Sequence, residues 1–421
     1  MGREVIKRLV AVLGSGGILV VAVGSTVAAS TISPQAASAA RSRPETVYVL
    51  DQGNGTVRPV LARTGKILPA IHVGLLPSSS PPAPNDSIAV TPNGRRAYVV
   101  NPGLSTITAI NTRTNKAIIT ISLGTSNRPV SLAITPDGKT GYVLEDENPE
   151  QVNVGVIVPL NIATSTLGSP IPVGSNPIAM VFSRDSRFGY VLDSGEGPAR
   201  GVLVKIDLAT NLATGHVQTG IRPDAMAITP SGKTILVVNS QNPRNAIGNV
   251  LPVRASTVTA GKPIRVGLVP SAIEITPDGR TAYVLDSVGV GAQGSSQGAV
   301  TPITISTRKA RRPITVGIFP VALTITPKTS WVYVVNMTDG AVNGPGTVTP
   351  IRIRSNTATA SVKVGRSPDA IVAAPGGRTV YVANAISGTV TEINTLTRKV
   401  ERTIRVGRQI LADPVALAIV G

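Results

Sequence analysis

The sequence predicts an all-β fold, a β-propeller of eight four-stranded blades, on three observations. An aromatic-Val strand ending in Asn or Asp recurs at a spacing of about 47 residues, eight copies of which two are variants, the mark of a repeat architecture. Short segments rich in Val, Ile and Thr, separated by turns, fill the space between copies. The composition agrees: 42% of residues are hydrophobic but only 3% aromatic, and 42 Gly and 34 Pro punctuate the 421-residue chain, as expected for many short strands rather than helices.

The chain opens differently. Arg3, Lys7 and Arg8 precede a small and apolar run from Leu9 to Ala29, and Ala37-Ser38-Ala39 offers an A-x-A cleavage pattern before Arg41. Residues 1–45 therefore read as a signal peptide or, because the run is nearly long enough to span a bilayer, as an uncleaved N-terminal anchor, followed by a short linker. Either reading exports residues 46–421, a single propeller domain, to an extracellular, cell-surface or periplasm-like space. Membrane association is expected only for the anchored form.

From Thr46 onward the phrase appears at Tyr48-Val49-Leu50-Asp51, Tyr98-Val99-Val100-Asn101, Tyr142-Val143-Leu144-Glu145 and Tyr190-Val191-Leu192-Asp193. It returns at Leu236-Val237-Val238-Asn239, Tyr283 to Asp286, Tyr333 to Asn336 and Tyr381 to Asn384. Each copy is followed by a Gly-Thr-Val-Thr-Pro-Ile type segment, as at Gly346 to Ile351, and an Ile-x-Val-Gly segment, as at Ile314 to Gly317. After a loop containing Pro comes an apolar segment such as Leu132-Ala133-Ile134-Thr135, which runs into a turn such as Thr135-Pro136-Asp137-Gly138. Proline presets the first turn position and Gly accepts positive φ, so the flanking strands form a hairpin. Four strands make one small sheet that cannot bury both faces alone; radial stacking buries them.

The first aromatic-Val strand has no apolar strand before it, and the chain ends on that missing strand, Val415 to Val420. The C-terminal strand is thus expected to pair with the first blade, whose other strands lie between Thr46 and Gly74, and to shut the ring. Seven blades with one irregular unit is the alternative count.

These repeats resemble the YVTN family of bacterial β-propeller repeats from Thr46 to Gly421. No copy spells Tyr-Val-Thr-Asn; the variants are Tyr-Val-Leu-Asp, Tyr-Val-Val-Asn and Tyr-Val-Ala-Asn, and the resemblance rests on their periodic combination with the Thr-Pro-Asp-Gly turn. It implies a propeller and an exported or surface protein. It does not imply an activity, because a propeller scaffold hosts many.

The chain has no cysteine, which excludes disulfides, thiolate metal sites and a cysteine nucleophile. His72 and His216 fall in predicted outermost strands of different blades, unsuited to a metal site or a general base. No Gly-x-Ser-x-Gly elbow, phosphate loop or His-Glu-x-x-His motif occurs. The single Trp331 argues against a quinoprotein dehydrogenase, whose similar ring repeats tryptophan docking motifs. No cofactor or metal site is predicted, and the chain is expected to be a monomer.

The loops after the aromatic-Val strands vary most: Glu145 to Asn153, Ser194 to Gly201, Ser240 to Gly248, Ser287 to Gly298 and Met337 to Gly346 are long, as is Gly74 to Ser87. Insertions concentrated on one face mark it as the candidate functional surface. Residues just before the inner strands, Asp86, Arg128, Arg222, Asp224, Arg366, Asp369 and Asp413, should line the channel mouth and suit a polar ligand, or else cap turns and pair with one another. The Asn or Asp ending each aromatic-Val strand reads as a turn-closing side chain. Glu145, Asp146, Glu147 and Glu150 form an acidic cluster, read as solvated rather than as a calcium site.

A net charge of +18 predicts attraction to anionic surfaces. Basic residues concentrate at Arg308, Lys309, Arg311 and Arg312, on the face opposite the variable loops, and at Arg398, Lys399, Arg402, Arg405 and Arg408. The leading expectation is a non-catalytic extracytoplasmic binding or scaffold propeller. The alternatives are a lactonase-like hydrolase using channel-mouth carboxylates with a metal, and a binder of nucleic acid or another anionic polymer.

Overall fold

The computed structural model describes residues 44–51, 54–74, 88–124, 128–146, 154–195, 200–240, 247–288, 297–328, 330–338, 344–407 and 414–421. Among them there is no α-helix, only strands, turns and a 3-10 turn at Pro102–Leu104. Five sheets have four antiparallel strands each and a sixth has thirteen. Each unit is named here by the residue at its aromatic position, and its strands are given from inner to outer.

The Tyr98 sheet consists of Ile88–Val90, Arg96–Asn101, Thr106–Asn111 and Lys116–Ser122. The Tyr142 sheet (Pro129–Ile134, Thr140–Glu145, Gly155–Asn161, Ile171–Gly174) and the Tyr190 sheet (Pro177–Phe182, Phe188–Asp193, Arg200–Asp207, Leu212–Ile221) repeat the plan. So does the Tyr381 sheet (Pro368–Ala373, Thr379–Asn384, Thr389–Asn394, Lys399–Arg405). The Tyr48 sheet draws on both ends of the chain: Thr46–Asp51 pairs with Thr56–Leu61 on one side and with Pro414–Val420 on the other, Tyr48 opposite Ala418.

The thirteen-stranded sheet arises because two twelve-residue strands, Ile264–Ile275 and Ile314–Ile325, each serve twice. The first half of Ile264–Ile275 is the outer strand beside Ile247–Arg254, and its second half is the inner strand beside Thr281–Val288. The sheet thereby joins units of the same plan at Leu236, Tyr283 and Tyr333. Inner strands contact their neighbours in chain order, and Pro414–Val420 contacts both Pro368–Ala373 and Ile88–Val90.

Local chemistry makes the inner hairpins. In the turn after Pro129–Ile134, Gly138 takes φ +69 and donates to Thr135 O at 2.8 Å, while Asp137 Oδ1 accepts from Thr135 Oγ1 at 2.6 Å and from the Lys139 N–H at 3.0 Å. The core is divided among interfaces. Every buried apolar cluster is shared by two adjacent four-stranded units, as where Tyr98 and Val100 meet Leu132 and Val143, and where Val47 and Val49 meet Val372 and Tyr381. Each fully buried Val or Leu contributes roughly 1.5–3 kcal/mol, so a sheet without neighbours would lose most of its stabilisation.

Two sets of polar bonds fix how far neighbouring sheets can slide. Tyrosine hydroxyls reach the third-to-fourth-strand turn of the next unit: Tyr48 Oη donates to Thr112 O at 3.0 Å, Tyr190 Oη to Ala255 O at 3.0 Å and Tyr283 Oη to Asn356 Oδ1 at 2.7 Å. At the opposite end, the Asn or Asp closing most second strands reaches back to the previous unit, Asn101 to Val73 O, Asp193 to the Asn176 N–H and Asn239 to Thr219 O among them. Asn336 Oδ1 accepts from the Gly317 N–H at 3.0 Å while its Nδ2 donates to Thr349 Oγ1 at 2.9 Å. Asn384 does the same with Gly365 and Thr391, and Asp286 accepts from the Gly267 N–H at 2.9 Å and Thr301 Oγ1 at 2.5 Å. These residues are buried latches between sheets, a correction to their reading as turn-closers.

Two outcomes follow from this packing. A Cβ on Gly346 would meet the Pro368 ring of the next sheet and the Asn336 carbonyl at 2.8 Å, so Gly346→Ala should destabilise by about 1–3 kcal/mol. Gly103→Ala, with nothing within 4 Å, should be near neutral by the same thermal melt. Burial raises the Asp286 pKa to about 7 against its bonds to Thr301 and Gly267. The folded protein therefore binds this proton more tightly than the unfolded chain, and the resulting stability, complete below about pH 4, is lost as pH rises through 7. Asp286→Asn should flatten that slope in melts from pH 4 to 8 and stabilise the protein by roughly 2–4 kcal/mol above pH 7, because Asn336 and Asn384 satisfy the same geometry uncharged.

Candidate functional site

The second strands end, and the chain crosses to each next inner strand, at the same edge of every sheet, here called the upper face. Each described crossover follows one scheme. A proline opens the inner strand opposite the latch residue, Pro129 opposite Glu145, Pro223 opposite Asn239 and Pro368 opposite Asn384, and the register then shifts by one residue. The residue after the proline is the bulge residue, which leaves the ladder and is re-aimed. Proline suits the spot because it has no N–H to lose where pairing breaks.

The bulge residues are Val130, Ile178, Asp224, Ser271, Val321 and Asp369 in the described inner strands that begin at 129, 177, 223, 270, 320 and 368. Two predicted site residues, Asp224 and Asp369, thus occupy one register position in separate sheets, where Ser271 is also polar and Val130, Ile178 and Val321 are aliphatic. Asp86 and Asp413 lie outside the described residues, as do most of the long loops.

Of the predicted arginines, Arg128 and Arg222 sit one position before the prolines and Arg366 sits two before Pro368. Arg222 takes φ +51, as do Val269, Phe319 and Ser367 at +49, +49 and +50 at the equivalent crossovers. A left-handed conformation is costly for branched and bulky residues and marks a backbone held by its surroundings. Ser240 holds this one: its N–H donates to Arg222 O at 2.9 Å. The same bond links Asp146 to Arg128, Ser194 to Asn176 and Ala385 to Ser367. Arg366 is exposed, and its N–H donates to Ser387 Oγ at 2.7 Å.

The side chains divide the mouth into sectors. Half-buried Asp224 accepts a hydrogen bond from Ser240 and lies near Arg222; desolvation outweighs both and raises its pKa to about 6. Next to it, Ser271 Oγ and Ser287 Oγ stand 3.1 Å apart. Arg128 pairs with Asp146 at 3.8 Å with its side chain 45% exposed, so here the predicted pairing of mouth charges is met by a partner outside the predicted set. Glu145 is buried at the latch position of its sheet, and neither carboxyl oxygen has a hydrogen-bond partner. Burial first, then the charge of Asp146, raises its pKa to about 7. Glu147 and Glu150 lie outside the described residues.

His72 and His216 are exposed on outermost strands of different sheets. Among the described residues no group of three or more His, Asp and Glu could hold a metal ion. Sequence reasoning missed Ser240, Ser271 and Ser287 as partners of the mouth; their signal was position, directly after a latch residue or a proline.

No family model and no curated protein sequence matches the chain. Solved structures do match. Dihydro-heme d1 dehydrogenase NirN in complex with DHE aligns with TM-score 0.67 at 13% identity over 89% of this chain and 74% of that one. Apo AztD from Citrobacter koseri gives 0.61 at 14% identity over 90% and 98%, and Kuenenia stuttgartiensis hydrazine synthase 0.56 at 21% identity over 73% and 94%. These neighbours are propeller-like proteins, and at such identities the likeness establishes the fold alone: this chain is a β-propeller.

Proposed function

We propose that this chain is an exported, non-catalytic binding or scaffold protein of the YVTN repeat type, a monomeric ring of eight blades closed by the C-terminal strand. The cyclic contacts of the inner strands and the Thr46–Asp51 ladder with Pro414–Val420 support the ring. The upper face is its binding surface, and residues 1–45 direct it across the cytoplasmic membrane.

One observation carries the reading of the site. The structural parts of each crossover repeat, whereas the bulge residue does not: Asp224, Ser271 and Asp369 replace aliphatic side chains at a position the fold does not require to be polar. Polar bulge residues backed by Ser240, Ser287 and Arg222 suit a polar ligand or the polar rim of a partner.

Asp224 gives the test a sign. Screening the full chain against polar metabolites, sugars and metal ions by thermal shift should yield a stabilising ligand, and Asp224→Ala with Asp369→Ala should lower its affinity by about tenfold or more. Ligand affinity should fall as pH drops through about 6, where Asp224 takes up its proton. Stability of the free protein should move the other way, since a raised carboxyl pKa favours the folded state at low pH. Lactone turnover abolished both by chelator and by Asp224→Ala would replace this reading with the hydrolase.

A further inference from the structure

The inner hairpin turns define the lower face, opposite the candidate site. In every unit the residue just before the second strand has its carbonyl held by an N–H from the end of the third strand: Lys139 O by Ile162 at 2.9 Å, Lys233 O by Ala255 at 3.0 Å, Arg280 O by Ile305 at 3.0 Å. The equivalent residues elsewhere are Arg95, Arg187, Arg378, Ser330 and Glu45, with the same bond. Six of these are Lys or Arg, and all six are exposed. Asp137, Asp185 and Asp278 stand in the same turns as counter-charges, each with an oxygen accepting a backbone N–H of its own turn.

Two further observations fall on the same face. Leu212 and Leu396, at third-to-fourth-strand turns, are 65% and 83% exposed, and Trp331, half-buried, lies beneath the guanidinium groups of Arg352 and Arg398 at 5.1 and 5.0 Å. The chain also joins the propeller here, since Glu45 is one of the ring positions. The apolar run Leu9–Ala29 lies upstream, connected by residues 30–43, which reach about 50 Å at most when extended.

We propose that the lower face docks on an anionic lipid bilayer, leaving the candidate site directed away from it. Cations spread over one face, one in each of six of the eight units, can be engaged together only by an anion field extended in two dimensions, which a head-group plane supplies and a single polymer strand does not. Leucines reach into the interface and tryptophan sits at head-group level. The inference uses the same ring as the proposed function but its opposite face.

Trp331 is the only tryptophan, so acrylamide quenching of its emission reads this face directly. With the full chain in vesicles, quenching should fall about threefold or more when a third of the phosphatidylcholine is replaced by phosphatidylglycerol, and recover at high salt. Reversing Arg95, Lys139, Lys233 and Arg280 to Glu should abolish the protection while an upper-face ligand still binds. Should that variant not fold, Lys233→Gln with Arg280→Gln should at least halve the protection. Equal quenching on both vesicles at low salt would overturn the proposal. So would protection by duplex DNA without protection by phosphatidylglycerol. Loss of ligand binding in Asp224→Ala would leave this readout unchanged.

Discussion

Each second strand ends on an amide or carboxyl group buried where two sheets meet, and satisfying that group constrains most of its surroundings. A buried polar group left without partners costs about 1–3 kcal/mol, so donors and acceptors must converge on it from both sheets. The previous unit offers a backbone N–H, which requires close approach; the place is filled by Gly267, Gly317 and Gly365, where any Cβ would strike the latch side chain. The sheet's own third strand offers a threonine hydroxyl, as at Thr301, Thr349 and Thr391. What reads along the chain as Val-Gly and Thr-Val-Thr is therefore the lining of one polar node between sheets.

The nodes are not equivalent. At Asn336 and Asn384 both halves of the amide are used and no charge enters the interface, whereas at Asn101 and Asn239 the Nδ2 donates but the buried Oδ1 has no partner. At Asp286 a carboxyl with two donors sits in the same place and holds its proton more tightly. Asp51 keeps its charge company with Arg58 at 3.8 Å and Asn54 at 2.7 Å. Glu145, one methylene longer, reaches neither kind of partner. The Tyr142 sheet thus carries the weakest polar node, beside the pairing of Arg128 with Asp146.

The repeat, its turns and the pairing of the first and last strands were legible because periodic patterns survive without knowledge of packing. Tyr48, Tyr98 and Tyr142 stood out by recurrence, and Pro-Asp-Gly carried its turn geometry with it. The latch role was not legible, because an Asn at a strand end satisfies turn chemistry equally well; only the neighbouring sheet distinguishes the two. Nor were the fused strands Ile264–Ile275 and Ile314–Ile325 foreseen. Their kinks fall at Val269 and Phe319, residues that sequence rules keep out of the left-handed region and that give no turn signal. Arg222 and Asp224 could be picked out by their proximity to proline, while Ser240 bonds from the far side of a loop, a distance sequence spacing does not encode.

Repetition also separates what the fold needs from what it merely carries. Latches, glycines and tyrosines recur because their side chains, or the lack of one, do the structural work. The lower-face ring recurs for another reason: there the main-chain carbonyl makes the bond, and Ser330 makes it as well as Lys233 or Arg280 does. In the hairpins of Arg95, Lys233 and Arg378 no carboxylate calls for a cation at that point, and mutual repulsion among exposed like charges opposes their accumulation. A charge pattern that the fold does not require and that electrostatics disfavours in the free protein needs a partner of opposite sign to account for it. The bulge position on the upper face obeys the same logic in reverse, where polarity interrupts an otherwise aliphatic series.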